Sequence, residues 1–307
     1  MDMSAFLAAL TFTAGYNTAL VCLGAALLGA AAGGIGSFVM LRKRALMSDA
    51  VSHATLPGLV LAFIGMALTT GDGRFLPGLM VGAALTAFLG LYAVDWLTRR
   101  TRLPEDSAIG AVLSSFFGLG VVLLTVVQSL ETGGQAGLEG FLLGSTASML
   151  RSEAITIAVA AAATGLGVIL LRRAFTIVSF DPNYAASIGI PVRRTDLAML
   201  LILLLVTVIG LRVAGLVLIV ALTIIPPATA RFWTDDAGRM AVLSAAIGAA
   251  AAHAGAALSA SGPSLPTGAV IVLISFGVFA LSLVASPRRG LVAAALSRRS
   301  ARRSVAR

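Results

Sequence analysis

Long apolar runs, each about 17–26 residues, alternate along this chain with short segments that hold nearly all of its charge. A helix of about 20 apolar residues crosses the ~30 Å hydrocarbon core of a bilayer. No run alternates with period two, and open sheet edges find no partner in lipid, so the runs predict helices rather than strands. The pattern places spans at 16–41, 47–69, 76–97, 106–130, 153–171, 196–211, 214–230, 239–259 and 266–285. The stretch 196–230 is broken only by Arg212. Two short helices meeting near Arg212 give nine spans; one tilted helix gives eight. Pro226 and Pro227 both lack a donor N–H and are expected to kink the second of these helices. The expected fold class is an all-α polytopic membrane protein.

Composition agrees. A chain of 307 residues that is 58% hydrophobic and 11% charged, with mean hydropathy +0.99, exposes too much apolar surface for a soluble domain. Met1-Asp2 brings no basic segment ahead of the first apolar run, which is therefore expected to be a retained span rather than a cleaved signal. Cys22 is the single cysteine, which excludes an internal disulfide and thiolate clusters and suits a small buried side chain.

Charge then sets the expected orientation. With nine spans, all 22 lysines and arginines except Arg74, Arg151 and Arg212 fall on one side. The positive-inside rule makes that side cytoplasmic, with the N-terminus outside and the C-terminus cytoplasmic. The net charge of +9 is local: seven arginines and no acids lie in 288–307, and the rest of the chain carries 9 − 7 = +2. That distribution argues against a nucleic-acid partner. It suits a cytoplasmic tail that meets anionic headgroups or simply anchors the topology.

Few ionisable groups remain for chemistry. Asp49 and His53, in RKRALMSDAVSHATLPG, stand one helical turn apart at the mouth of a span, so both side chains share one face. Ionisable groups so placed are costly and point to transport. Carboxylate oxygen and imidazole nitrogen together suit Mn²⁺, Zn²⁺ and Fe²⁺ better than Ca²⁺ or Mg²⁺. The plain alternative has Ser48 and Asp49 capping the helix and His53 hydrogen-bonding across the bundle. His253, among small residues in AAIGAAAAHAGAALSA, is either a further ligand or a packing histidine. Asp95 is expected to pair with Arg99, and Glu105 and Asp106 to favour their helix dipole. Asp72, Glu131, Glu139 and Glu153 are expected on the outer face, either as a solvated surface or as acids that attract cations or meet another protein. The longest loop of the basic side, 172–195, should hold a short helix that Asp181 caps, with Pro182 in its first turn and Gly189 and Pro191 ending it. Such a helix either takes a push from another protein or lies on the headgroups.

RKRALMSDAVSHATLPG, LPEDSAIGAVLSSFFGLGVVLL, SFDPNYAASIGIPVRRTDL, GLVLIVALTIIPPATARF and LPTGAVIVL, in this order, resemble the permease subunits of ABC importers for manganese, zinc and iron. The resemblance covers about residues 16–286. It implies one transmembrane permease domain over 1–287, working as a dimer with a second copy, a cytoplasmic ABC ATPase dimer and an extracytoplasmic metal-binding protein. No permanently bound cofactor is expected: the divalent ion is cargo, and ATP belongs to the partner. The absence of a G-x-x-x-x-G-K-[ST] loop fits a separate ATPase and a non-enzymatic transport chain. The resemblance implies metal handling by Asp49 and His53. It makes the segment around Phe180, Asp181, Pro182, Tyr184, Gly189 and Pro191 the coupling helix, with Pro226 and Pro227 in a kinked, gating region. Ser264 stands where many relatives carry an acid, which puts an acid-dependent outer contact in question. The rival readings are a permease for metal chelates such as siderophores or cobalamin, and a membrane metalloenzyme using Asp49, His53 and His253.

Overall fold

The structure, a computed structural model, describes residues 3–70, 75–129, 149–262, 265–287 and 290–291. Asp72, Arg74, Glu131, Glu139, Ser264 and all of the basic tail except 290–291 lie outside the described residues.

Those residues form helices α1 (Met3–Leu10), α2 (Tyr16–Leu41), α3 (Met47–Thr70), α4 (Leu76–Arg100), α5 (Glu105–Ser129), α6 (Arg151–Phe180), α7 (Pro182–Ser187), α8 (Val192–Arg231), α9 (Ala237–Ala260) and α10 (Thr267–Ala285). Eight of them are long and apolar enough to cross a membrane. One of the eight, α8, is bent double. Gly215 has φ 74° and ψ 170°, outside helical values and in the region that favours glycine. A Cβ on Gly210 would stand 2.6 Å from Ile219 Cδ1, although nine residues of straight helix span about 13 Å. Asp196 in the first limb and Pro227 in the second both reach the same end of α2, at Arg42 and Gly36. The two limbs therefore run side by side, so the eight helices provide nine rods, the second limb of α8 being the short one. The turn falls at Gly215, three residues past the expected break at Arg212, because glycine tolerates the reversal and arginine does not.

Pro226 and Pro227 do not supply the break. Both are buried, and the only non-helical backbone within α8 is at Gly215. Each proline still releases a carbonyl four residues earlier. The one freed by Pro227, on Thr223, lies against Gly36 of α2, where no Cβ fits.

The centre of the bundle is the crossing of α2 with α9. Gly29 meets the Gly248 backbone, and Ser244 Oγ donates to the Gly33 carbonyl at 2.6 Å. Two small residues four apart on each helix let the backbones touch, which is how helices associate where water gives no hydrophobic push. The limbs of α8 pack around this crossing, and α3, α4 and α5 form a flank against α8.

Helix α6 also departs from expectation. Its apolar run ends near Leu171, but the helix continues through Arg172 and Arg173 to Phe180. At 1.5 Å per residue its 30 residues span about 45 Å, well beyond the hydrocarbon thickness. The loop expected at 172–195 shrinks to the segment around α7, which this helix holds away from the apolar zone.

Candidate functional site

Asp49 and His53 sit in the first two turns of α3. The hydroxyls nearby turn back on their own helix: Ser48 Oγ donates to the Ala45 carbonyl, Ser52 Oγ to Ser48 and Thr55 Oγ1 to Ser52, at 2.9, 2.7 and 2.5 Å. Ser48 is therefore not the helix cap. Positions 50–52 and 54–60 are buried; in the first turns exposure falls on Leu46, Asp49 and His53, and it resumes only from Leu61 onward. The 3.6-residue repeat thus puts both ionisable groups on the partly exposed side of the first turns of α3.

On that side the pair is loose. His53 Nε2 is 3.4 Å from Asp49 Oδ1, longer than a good hydrogen bond. The side chains are 20% and 35% exposed, so neither is sealed from a diffusing ion. His53 Nδ1 is buried and has no hydrogen-bond partner among the described residues. The imidazole is held by packing instead, edge-on to Phe117 of α5 with centroids 4.8 Å apart and planes at 82°. Pro57, four residues on, has no N–H for the His53 carbonyl, which is thereby released from the helix ladder. Carboxylate, imidazole and one free carbonyl in adjacent turns offer hard and borderline donors, the set that Mn²⁺, Zn²⁺ and Fe²⁺ accept. They fall short of a closed shell, and no group of three or more His, Cys, Asp or Glu among the described residues is placed to hold an ion.

His253 lies elsewhere. Its Nε2 is 3.0 Å from the Leu10 carbonyl and its ring packs on Phe12, at 4.8 Å between centroids. It ties the N-terminal helix to α9, and the structure does not bring it together with Asp49 and His53.

The α7 segment is built as its residues require. Asp181 accepts a 2.9 Å hydrogen bond from Tyr184 N–H, and Pro182 occupies the first turn. Gly189, at φ 84°, closes the helix, with its own N–H on Ala186 and that of Ile190 on Ala185. Pro191 then caps α8. Ala185 is buried while Phe180, Tyr184 and Ile188 are exposed, so the segment displays three large apolar side chains at helical spacing.

Two charge clusters escaped sequence reasoning. At the Arg-rich end, Arg42 makes a two-pronged contact with Asp196, Nε to Oδ1 at 2.9 Å and NH2 to Oδ2 at 3.0 Å. This hydrogen bonding pushes the Arg42 pKa further up and fixes its charge. Arg44 lies 2.8 Å from Glu105 and 3.7 Å from Asp196, so Glu105 does more than favour a helix dipole. At the other end Arg212 Nε donates to Glu153 Oε1 at 2.6 Å, while Glu153 Oε2 accepts from Leu150 N–H at 2.9 Å. Glu153, expected as an outer acid open to solvent, cations or another protein, is instead 10% exposed and fastens the tip of the α8 hairpin to α6. The partners are 154 and 59 residues apart, beyond any local pattern. The one signal available was scarcity, since a charge inside so apolar a chain needs a partner. The Asp95–Arg99 pair is present as expected, at 2.8 Å.

Known proteins resemble the chain over nearly its whole length. It is 40% identical over 291 residues to the manganese transport system membrane protein MntC of Bacillus subtilis (strain 168), matching 95% of this chain but 66% of that one. It is 35% identical over 277 residues to the zinc transport system membrane protein TroC of Treponema pallidum (strain Nichols), covering 90% of this chain and 91% of that one. Among solved structures, PsaBC from Streptococcus pneumoniae in complex with Fab superposes with TM-score 0.79 at 28% identity, over 94% of this chain and 98% of that one. An inward-facing conformation of a putative metal-chelate type ABC transporter shares the fold, with TM-score 0.69 at 17% identity, over 87% of this chain and 85% of that one. Residues 16–286 match the ABC 3 transport family, and the chain belongs to it.

Proposed function

We propose that this chain is the transmembrane subunit of an ATP-driven importer for a divalent transition-metal ion, Mn²⁺, Zn²⁺ or Fe²⁺, and that it works as a homodimer. The observation that carries the reading is the Asp49–His53 pair, loosely joined and partly exposed in the first turns of α3. Relatives named for manganese and zinc transport support the choice of cargo.

The Arg-rich end is cytoplasmic by the positive-inside rule. A metal-binding protein delivers the ion at the opposite end. The first turns of α3 in two copies approach one another, so that two aspartates and two histidines together offer the four ligands that one chain lacks. The shell is formed only in passing, which suits transit, because an ion held too tightly does not leave. On the cytoplasmic side Phe180, Tyr184 and Ile188 seat in the ATPase, and its closure moves α7 and switches access. A partly exposed ionisable pair speaks against a permease for metal chelates. Three gathered ligands, which a metalloenzyme would require, are not found among the described residues.

Docking of the ATPase through α7 separates an importer from an enzyme. Co-purification of the neighbouring ATPase with the wild-type chain, lost on Phe180→Asp with Tyr184→Asp, is the expected result. Retention of the ATPase by the double variant, or no association with the wild type, would contradict the reading.

A further inference from the structure

The segment after α7 runs into α8 without slack. Thr195 N–H and Oγ1–H both bond the Pro191 carbonyl, at 3.0 and 3.1 Å. Asp196 follows at once, 5% exposed and gripped by both prongs of Arg42. Between Arg42 and Arg44, Lys43 takes φ 62°, a left-handed conformation unfavourable for a residue with a Cβ. It closes α2 with Lys43 N–H on Met40 and Arg44 N–H on Val39, and both neighbouring arginines reach Asp196. Met47 N–H then bonds the Arg44 carbonyl and opens α3, two residues before Asp49. Arg44 also holds Glu105, the first residue of α5, which carries the Phe117 that packs on His53.

We propose that Asp196 is a positioning residue for transport, which transmits movement of α7 to the Asp49–His53 helix through Arg42 and Arg44. This rests on the reading of α7 as the element that docks on the ATPase. A two-pronged charge pair fixes the direction of donor and acceptor together, so it resists sliding that apolar contacts would permit. The pair ties the start of α8 to the 42–46 turn, and the Arg44–Glu105 contact extends the tie to α5. The four side chains line a cavity of about 410 Å³, shared with Arg99 and Arg193, which leaves room for them to shift as a unit. A simple staple would need only one of these links; here one carboxylate at the exit of α7 holds both arginines of the turn that leads into α3, and the second of them holds the start of α5.

The test measures two rates in one preparation. The chain is reconstituted in liposomes with its ATPase, and the metal-binding protein is loaded with Mn²⁺ or Zn²⁺, whichever the wild type takes up. Metal imported per phosphate released is compared for wild type, Asp196→Asn, Asp196→Glu and Glu105→Gln. Transmission predicts that Asp196→Asn lowers the ratio about tenfold while phosphate release stays within about twofold of wild type, that Asp196→Glu recovers most of the loss, and that Glu105→Gln lowers the ratio about threefold. An unchanged ratio, including uptake and hydrolysis falling in parallel, overturns the proposal and leaves a structural staple. Glu105 is 30% exposed at a helix start, so its variant decides the matter if Asp196→Asn does not assemble. A wild type that neither docks the ATPase nor imports metal refutes the reading of α7 and the importer instead.

Discussion

The two ends of the first turns of α3 treat charge in opposite ways. At the 42–46 turn, Arg42 holds Asp196 at 2.9–3.0 Å and Arg44 holds Glu105 at 2.8 Å with Asp196 3.7 Å away, and the Asp196 carboxylate is buried. A few residues on, Asp49 and His53 stand 3.4 Å apart, partly open, with one imidazole nitrogen unpartnered among the described residues. A saturated cluster has spent its donors and acceptors on holding three elements together. A slack pair keeps them for a visitor. In so apolar a chain either arrangement is costly to keep, and the difference in saturation separates the group that fastens from the group that handles an ion.

Three substitutions set this contrast at risk. The largest effect on stability is expected from Arg42→Ala, which strands the buried Asp196 carboxylate and costs about 3 kcal/mol. Thermal unfolding in detergent, followed by intrinsic fluorescence, should register it as a clear fall in Tm. His53→Ala should do the reverse, changing stability by less than about 1 kcal/mol, since what is lost is the edge-on contact with Phe117 and the long approach to Asp49, while metal transport fails. A large drop in Tm would make His53 a packing residue. The smallest change belongs to Asp95→Asn, which breaks an exposed pair one helical turn long and should cost less than about 0.5 kcal/mol. A larger cost there would mean that surface and buried pairs are not distinguished in this protein as the contrast requires.

What the sequence revealed followed the range of its signals. Membrane spans are written in runs of apolar residues, and the Asp49–His53 pair and the Asp181–Pro182 cap are matters of three or four positions, so all were legible. Hydropathy marks where lipid ends, however, not where a helix ends, and Arg172 and Arg173 concealed the continuation of α6 to Phe180. The hairpin of α8 was legible from loop parity, but its turn was assigned to the charged Arg212 rather than to Gly215, whose backbone freedom makes it. Glu153 was misread because its partner comes 59 residues later, and the same distance effect hid Asp196 behind Arg42. His253 illustrates a limit of composition: a lone histidine in a span left ligand and packing residue both open, and its ring lies within hydrogen-bond distance of the Leu10 carbonyl.

The most direct test of the importer reading is total metal content by elemental mass spectrometry. Cells lacking their own importer would express this chain with its ATPase and metal-binding protein, as wild type, as His53→Ala and with an ATPase that cannot hydrolyse ATP. The account predicts that one of Mn, Zn or Fe rises severalfold with the wild type and returns to the ATPase-dead level with His53→Ala at equal expression. Equal accumulation by His53→Ala would contradict the assigned site, and an assembled complex that raises none of the three metals would contradict the importer itself.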